Sequence, residues 1–336
     1  MKYTNNIKVL KCFRLFSKKG LFKNIAFYII SLIILLYIIL GIYFYLKEFK
    51  IYIKEIFEIA NFTKRNNKLS QRINNNIDKN NNSSTTKKEE NISDFDKKIS
   101  KEKEIMETLE QIYYNDHEIN SISYEKALDI DKRTYCQLYL SLIKTYHILL
   151  FTFNSKDYNP RQIKICFFFF IFALYIFINT LFFNDAIMHQ IYMNKGKFNL
   201  ILVLPQMIYS EIICKIIINL IKHLSLPQGN ILEIQFENNR NLLMKIVNVI
   251  KCIKKKIICF YVLSLMFLLF FWYYLTCFCF VYNNTQIYLF KVILITYLLS
   301  LINPFIFSLL PGLFRIQSLK APGKCLYQTS KLFHLL

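Results

Sequence analysis

Residues 24–46, NIAFYIISLIILLYIILGIYFYL, carry no charged side chain over 23 positions. At about 1.5 Å per residue, a helix of that length reaches across the roughly 30 Å of hydrocarbon in a bilayer. A run of 10–14 apolar residues is compatible with a buried soluble helix, but one this long is not, and its length and position do not suit a signal peptide. Inside hydrocarbon each backbone N–H and C=O must be satisfied within the protein, so the allowed solutions are helices and closed barrels. Continuous apolar runs, rather than alternating ones, select helices.

The pattern recurs. CFFFFIFALYIFINTLFFN at 166–184, the 26 residues at 257–282 and the 24 at 287–310 are further spans, the last two joined by the short turn NNTQ. Trp272, Tyr273 and Tyr274 fall near the middle of their span, so they are expected to pack against neighbouring helices rather than form an interfacial belt. Residues 198–222 are long enough to be a fifth crossing. The fold class is therefore an all-α polytopic transmembrane helical bundle of about five spans with a long, partly disordered insert. Asn303-Pro304 is expected to loosen the last span and Pro311-Gly312 to end it.

The remaining segments follow from the spans. Residues 1–23 are a basic N-terminal segment, 223–256 a basic loop containing KCIKKK, and 311–336 a basic tail with Arg315 and Lys320. The insert, 47–134, has an Asn-rich stretch at 64–100 that is almost without large apolar residues and is expected to be a disordered linker. Residues 101–131 are expected to be helical, with Ile105, Leu109 and Ile112 on one face. Residues 135–153 place Tyr135, Leu138, Leu142, Tyr146, Leu149 and Phe153 at helical spacing, which suits an amphipathic helix lying along the membrane.

The net charge of +21 raises the question of nucleic acid, but no nucleic-acid-binding module accompanies it. Lysines flanking apolar spans are expected to face the bilayer, through anionic headgroups. A second copy of the chain or a partner membrane protein is a further expectation, because lipid-facing surface remains for it. Nine cysteines do not form a secreted disulfide framework; those within spans act as small hydrophobes, and Cys12, Cys252 and Cys325 are juxtamembrane palmitoylation candidates. No Gly-rich phosphate loop, nucleophile elbow or metal-ligand spacing occurs. Neither an enzyme nor a cofactor or metal is expected.

One span breaks the apolar rule. Within 198–222 stand Pro205, Gln206, Ser210, Glu211, Lys215, Asn219 and Lys222. At 100° per residue, Glu211, Lys215, Asn219 and Lys222 share one face, and Glu211 precedes Lys215 by four residues, the favourable order for a helical ion pair. A charge at the bilayer centre costs about 2.5–3.5 kcal/mol on insertion scales, so lipid exposure of both is disfavoured. Three readings stay open: an intramembrane charged pair inside the bundle, a polar lining for an ion or solute path that includes Gln206, Ser210 and Asn219, and a segment that lies on the surface or re-enters. Pro205 and Pro304 are the expected helix breaks.

Charges near the spans pull in opposite directions. Five crossings place KCIKKK and the C-terminal tail on one side and Lys2, Lys8, Lys11, Arg14, Lys18, Lys19 and Lys23 on the other. Four crossings would gather the basic ends on one side.

From about 135 to 320 the chain resembles an uncharacterised family of multi-pass membrane proteins in ciliates and apicomplexan-type protists. DYNPRQIKI, INTLFFND, LPQMIYS, FLLFFWYYLTCFCFVYNNTQIYL and PFIFSLLPGLFRIQSL, in that order, carry the resemblance. It implies the membrane end of larger proteins, with an ectodomain before the first span, an outside N-terminus and five crossings. Only 23 residues precede the span here, so that ectodomain is expected to be absent or to lie beyond this sequence. The leading expectation is a non-enzymatic membrane anchor or scaffold; the alternative is a channel or transporter subunit with Glu211 and Lys215 along its path.

Overall fold

A computed structural model describes residues 8–11, 23–58, 116–154, 159–197, 199–226, 242–321 and 323–332. The expected linker at 64–100 and the periodic stretch around Ile105–Ile112 lie outside the described residues. The described secondary structure is helical. Five helical segments are long and apolar enough to cross a bilayer: Ile25–Glu58, Arg161–Phe182, Val203–Ser225, Ile246–Val281 and Gln286–Lys320.

The first rod, α1 (Ile25–Glu58), starts where the Asn24 carboxamide accepts the Phe27 N–H at 3.1 Å. It runs twelve residues past the expected end of the span at 46, through a π-helical turn at Phe44–Glu48. The extension is amphipathic, which is why hydropathy alone cut it short: Tyr52 and Ile56 are buried while Lys54 and Glu58 pair at the surface.

The insert returns as four short helices, α2 (Asp116–Ser121), α3 (Tyr124–Ile130), α4 (Tyr135–Tyr146) and α5 (Ile148–Phe153). A capping box between Thr134 and Gln137 starts α4. The single amphipathic helix expected at 135–153 is thus two, separated at His147, whose extended backbone ends α4 and whose Nδ1 accepts the Leu150 N–H to start α5.

Beyond them stand α6 (Arg161–Phe182), α7 (Asp185–Met193), α8 (Leu200–Ser225), α9 (Leu242–Val281), α10 (Gln286–Ser300), α11 (Asn303–Phe307), α12 (Leu309–Lys320) and α13 (Lys324–Leu332). Two-thirds of the apolar window of α6 is buried, against about a fifth of those of α1 and α8, so α6 is the central post. It packs against α1, α8, α9 and α10. At 40 residues, or about 60 Å, α9 is twice the bilayer core. Its first turns are residues 242–256, expected as part of a basic loop. They are helical because Ile246, Val249, Ile253 and Ile257 recur at helical spacing and are buried, leaving Lys251, Lys254 and Lys255 exposed.

Aromatic and small polar groups key the helices together. Trp272 donates to Ser31 at 2.8 Å and packs on Phe27, Tyr274 is fully buried, and the Tyr273 hydroxyl reaches the Leu10 carbonyl at 3.1 Å. Facing helices, not an interfacial belt, hold these rings.

The prolines divide. Pro205 lies inside α8 and does not break it; it sits in the second turn, where one backbone bond is lost and the helix continues. Pro304 does mark a break, at the first turn of α11 after α10 has ended at Ser300. Pro311-Gly312 was expected to end the last span and instead lies in the first turn of α12, where a missing N–H has no helical partner to lose. A Cβ on Gly312 would stand 3.2 Å from the Tyr135 ring, so the glycine permits α4 to approach.

The contacts order the two ends. At one, Asn24 donates to the Thr276 carbonyl, Gln286 donates to the Lys23 carbonyl, and Tyr282 donates to Asp185. At the other, α2–α5 gather with α12 and α13. The described N-terminal residues and the insert's return therefore stand at opposite ends of the bundle.

Candidate functional site

α8 is amphipathic with its polarity reversed from that of a soluble helix. Ile208, Ile212, Ile216 and Leu220, four residues apart, form an outward stripe, each about half or more exposed. Such a stripe in water would be an aggregation liability; against acyl chains it is the natural surface. The opposite face carries Glu211, Lys215 and Lys222 to the bundle. A helix lying on the membrane would turn those charges to water, so this orientation fits a crossing helix.

That inner face lines a cavity of about 220 Å³. Glu211, Lys215, Asn219 and Lys222 come from α8, Phe167, Ile171 and Tyr175 from α6, Tyr146 from α4, Phe151 from α5, and Tyr297, Asn303 and Phe307 from α10 and α11. The helix break before Pro304 makes room for it, because a straight α10 would carry its side chains past α8.

The structure gathers some of the expected polar residues and not others. Glu211, Lys215 and Asn219 meet the cavity; Gln206 and Ser210 are buried and do not line it. Among the described residues no direct ion pair joins Glu211 to Lys215. The Lys215 charge acts on the Glu211 carboxyl with Asn303 within reach of it, and the Lys215 ammonium lies 4.7 Å from the centre of the Phe307 ring. Lys222 lies 5.7 Å from both the Tyr146 and Phe151 rings. Cation–π contacts contribute about 0.5–1 kcal/mol when exposed and about 2 or more when desolvated, which holds these lysines inward. Burial pushes the Tyr146 hydroxyl upward, so it stays protonated.

A second polar centre lies where the insert meets the chain's end. Asp131 accepts from Arg133 Nε at 2.7 Å and from Arg315 Nε at 3.0 Å. Arg315 also donates to the carbonyls of Ile119 and Asn120 and lies 5.0 Å from the Tyr327 ring. Arg133 reaches Asn120 Oδ1 at 2.9 Å and Ser141 at 3.2 Å. The side chains of Arg315 and Asp131 are 0% and 1% exposed. Burial alone would raise the Asp131 carboxyl; the hydrogen bond and charge of Arg133, then Arg315, outweigh it and hold the group below its ordinary range. Arg315, expected as a free tail charge, is answered inside the protein.

The amphipathic stripe of α4 serves the same joint. Leu138 and Leu142 are fully buried, and Tyr139 and Tyr135 donate to the carbonyls of Phe305 and Leu309. It packs on α11 and α12 and leaves Leu140 exposed on its outer side.

Sequence reasoning passed over Asp131, Arg133, Arg315 and Asn303 as site residues. The available signal was Arg315 directly after an apolar segment, a place where a charge needs a partner. Among the described residues no group of three His, Cys, Asp or Glu side chains is arranged to hold a metal. Asp185 and His189, at the mouth of the second span, are exposed.

These features define an integral membrane protein with five candidate spans, all of them helical. The chain matches no protein-family model, no curated protein and no solved structure.

Proposed function

We propose that the chain is a non-enzymatic membrane scaffold that seats the returning end of its long insert on one end of a five-span bundle. The buried Asp131–Arg133–Arg315 joint carries this reading. It ties α2 and α3, at the end of the insert, to α12 and α13, after the last span, and it fixes position without presenting reactive groups to solvent. The exposed Lys251, Lys254 and Lys255 of α9 are placed to meet anionic headgroups beside it, and the apolar outer faces leave room for a second copy or a partner span. The resemblance to the protist membrane-protein family belongs to this proposal, with the N-terminus outside and the insert and tail in the cytoplasm.

Reconstitution of the purified chain in liposomes tests it. The scaffold reading expects ion and small-solute flux at the level of protein-free vesicles, and it expects Asp131→Asn to release the insert to protease while the spans stay folded. Robust flux with an insert indifferent to Asp131→Asn would overturn it.

One observation favours a second reading, a solute path: Glu211, Lys215 and Asn219 share a cavity within the bundle. That reading requires flux, and flux altered by Glu211→Gln.

A further inference from the structure

Lys222 is a charge that lines the cavity well away from the Glu211 carboxylate. Among the described residues no carboxylate pairs with it, and its ammonium lies against the rings of Tyr146 and Phe151. A second ammonium, that of Lys164 on the first turn of α6, lies 5.4 Å from the same Phe151 ring and donates to the Asn154 carbonyl. Two cations therefore flank one aromatic ring. The carboxylate among the described lining residues, Glu211, is eleven residues away along α8, about 16 Å, with Lys215 and Asn303 beside it.

Much of the remaining wall is apolar, with Phe167, Ile171, Ile218 and Phe307, while Glu211, Lys215, Asn219 and Asn303 add polar groups. Tyr297 also lines it, is 6% exposed, and its hydroxyl is buried without a hydrogen-bond partner among the described residues. A cationic end, an apolar wall and an unanswered hydroxyl match the two halves of an amphiphile. A lysine meant for the general headgroup layer would extend outward, as Lys251 and Lys254 do; Lys222 folds back onto rings inside the bundle.

We propose that this cavity binds one phosphate-bearing membrane amphiphile, its anionic headgroup at Lys222 and its hydrocarbon chain along Phe167, Ile171 and Phe307. The site is independent of the scaffold reading, since it lies on α5, α6, α8 and α11 rather than at the Asp131 joint. The cavity volume suits a phosphate with part of one chain, the remainder extending into the bilayer. A free phosphate ion shares the headgroup chemistry but gains nothing from the apolar walls.

Calorimetric titration of the full-length protein in a neutral detergent distinguishes the sources. Dodecyl phosphate is expected to bind saturably at one site, and inorganic phosphate and dodecylphosphocholine at least about tenfold more weakly. Lys222→Gln should weaken dodecyl phosphate by about tenfold or more, the usual loss for a charge-assisted hydrogen bond. Lys222→Arg should retain most of the affinity, which separates loss of charge from loss of fold. Ile218→Trp, which fills the cavity and keeps Lys222, should also abolish binding, whereas Lys254→Gln at the exposed surface of α9 should leave it intact. Equal binding by wild type, Lys222→Gln and Ile218→Trp would overturn the site. Inorganic phosphate binding as tightly as dodecyl phosphate would overturn the lipid assignment.

Discussion

Replacing Asp131 by Asn keeps the shape of the joint and removes its negative charge. Arg315 then remains 0% exposed with its guanidinium facing a neutral amide, the Ile119 and Asn120 carbonyls and the Tyr327 ring. Breaking a buried pair on one side costs about 3–5 kcal/mol, because the remaining charge is stranded away from water. At about 1.4 kcal/mol per factor of ten, opening of the joint should rise by about a hundredfold to a few thousandfold. Hydrogen exchange measured by mass spectrometry reads this directly at the amides of α13 and of α2, with α6 as an internal reference that should not change. Asp131→Asn combined with Arg315→Gln should cost less than the two single changes summed, since neither charge is then left alone. The pH dependence follows from the same bonds. The folded carboxyl lies below its ordinary value of 3.8, so its stabilisation is complete above that value and is lost as pH falls through the folded one. Wild type should therefore loosen at this joint in acid below about pH 4, and Asp131→Asn should lack that limb. Exchange in α13 within about threefold of wild type in the variant would refute the reasoning, since a fully desolvated charge cannot lose its partner at so small a cost.

Gly196 has φ +67 and a Cβ there would stand 3.0 Å from Tyr288 Cβ and 3.1 Å from its Cα, so Gly196→Ala should lower stability by about 1–2 kcal/mol, read from thermal loss of the emission of Trp272, the chain's single tryptophan. Burial holds the His147 imidazole below its ordinary 6.5, and its Nδ1 accepts the Leu150 N–H, so the cap of α5 is intact above 6.5 and should be lost as pH falls through the lower folded value. Faster exchange at Phe151 and Thr152 at pH 5 than at pH 7, beyond the intrinsic change, checks it; His147→Asn, which can cap without titrating there, should flatten the response. Trp272→Phe removes a 2.8 Å bond to Ser31 and should destabilise by about 0.5–1.5 kcal/mol, with Ser31→Ala adding little further. Five crossings expect a tag at residue 2 outside and one near residue 85 in the cytoplasm, read by protease protection, and the reverse placement would refute them.

The spans were legible because hydropathy is a local property and length alone decides whether a helix can cross. Their ends were not. The π turn at Phe44–Glu48 and the amphipathic extension to Glu58 follow from burial of Tyr52 and Ile56 against the bundle, which no window over residues 47–58 reports. The one-sided placement of Glu211, Lys215, Asn219 and Lys222 was legible from helical geometry, and the cavity bears out their common face. What each charge touches was not: Phe307 lies 92 positions beyond Lys215 in the chain, and the Asp131–Arg315 contact spans 184. Proline was misjudged for a related reason. The three share one chemistry: Pro304 and Pro311 sit in the first turns of α11 and α12, whereas Pro205 lies farther inside α8.

Contacts within the bundle bear on the N-terminal charge problem. Five crossings seemed strained because Lys2 to Lys23 fall on the side away from KCIKKK. Gln286 fixes that side: its Nε2 donates to the Lys23 carbonyl at 2.8 Å and its Oε1 accepts the Ile25 N–H at 3.0 Å. Gln286 begins the last span at the turn from the fourth, so the start of α1 stands at that turn. Asp131 and Arg315 then require the insert and the last span to finish at the opposite end. An even number of crossings cannot satisfy both contacts: with α8 laid on the surface, α9 would begin at the Gln286 end and the turn would fall beside Asp131. The positive-inside preference acts through about 1 kcal/mol per residue near an anionic surface. Against it stand a buried guanidinium joint and a capped helix start, which favour five crossings.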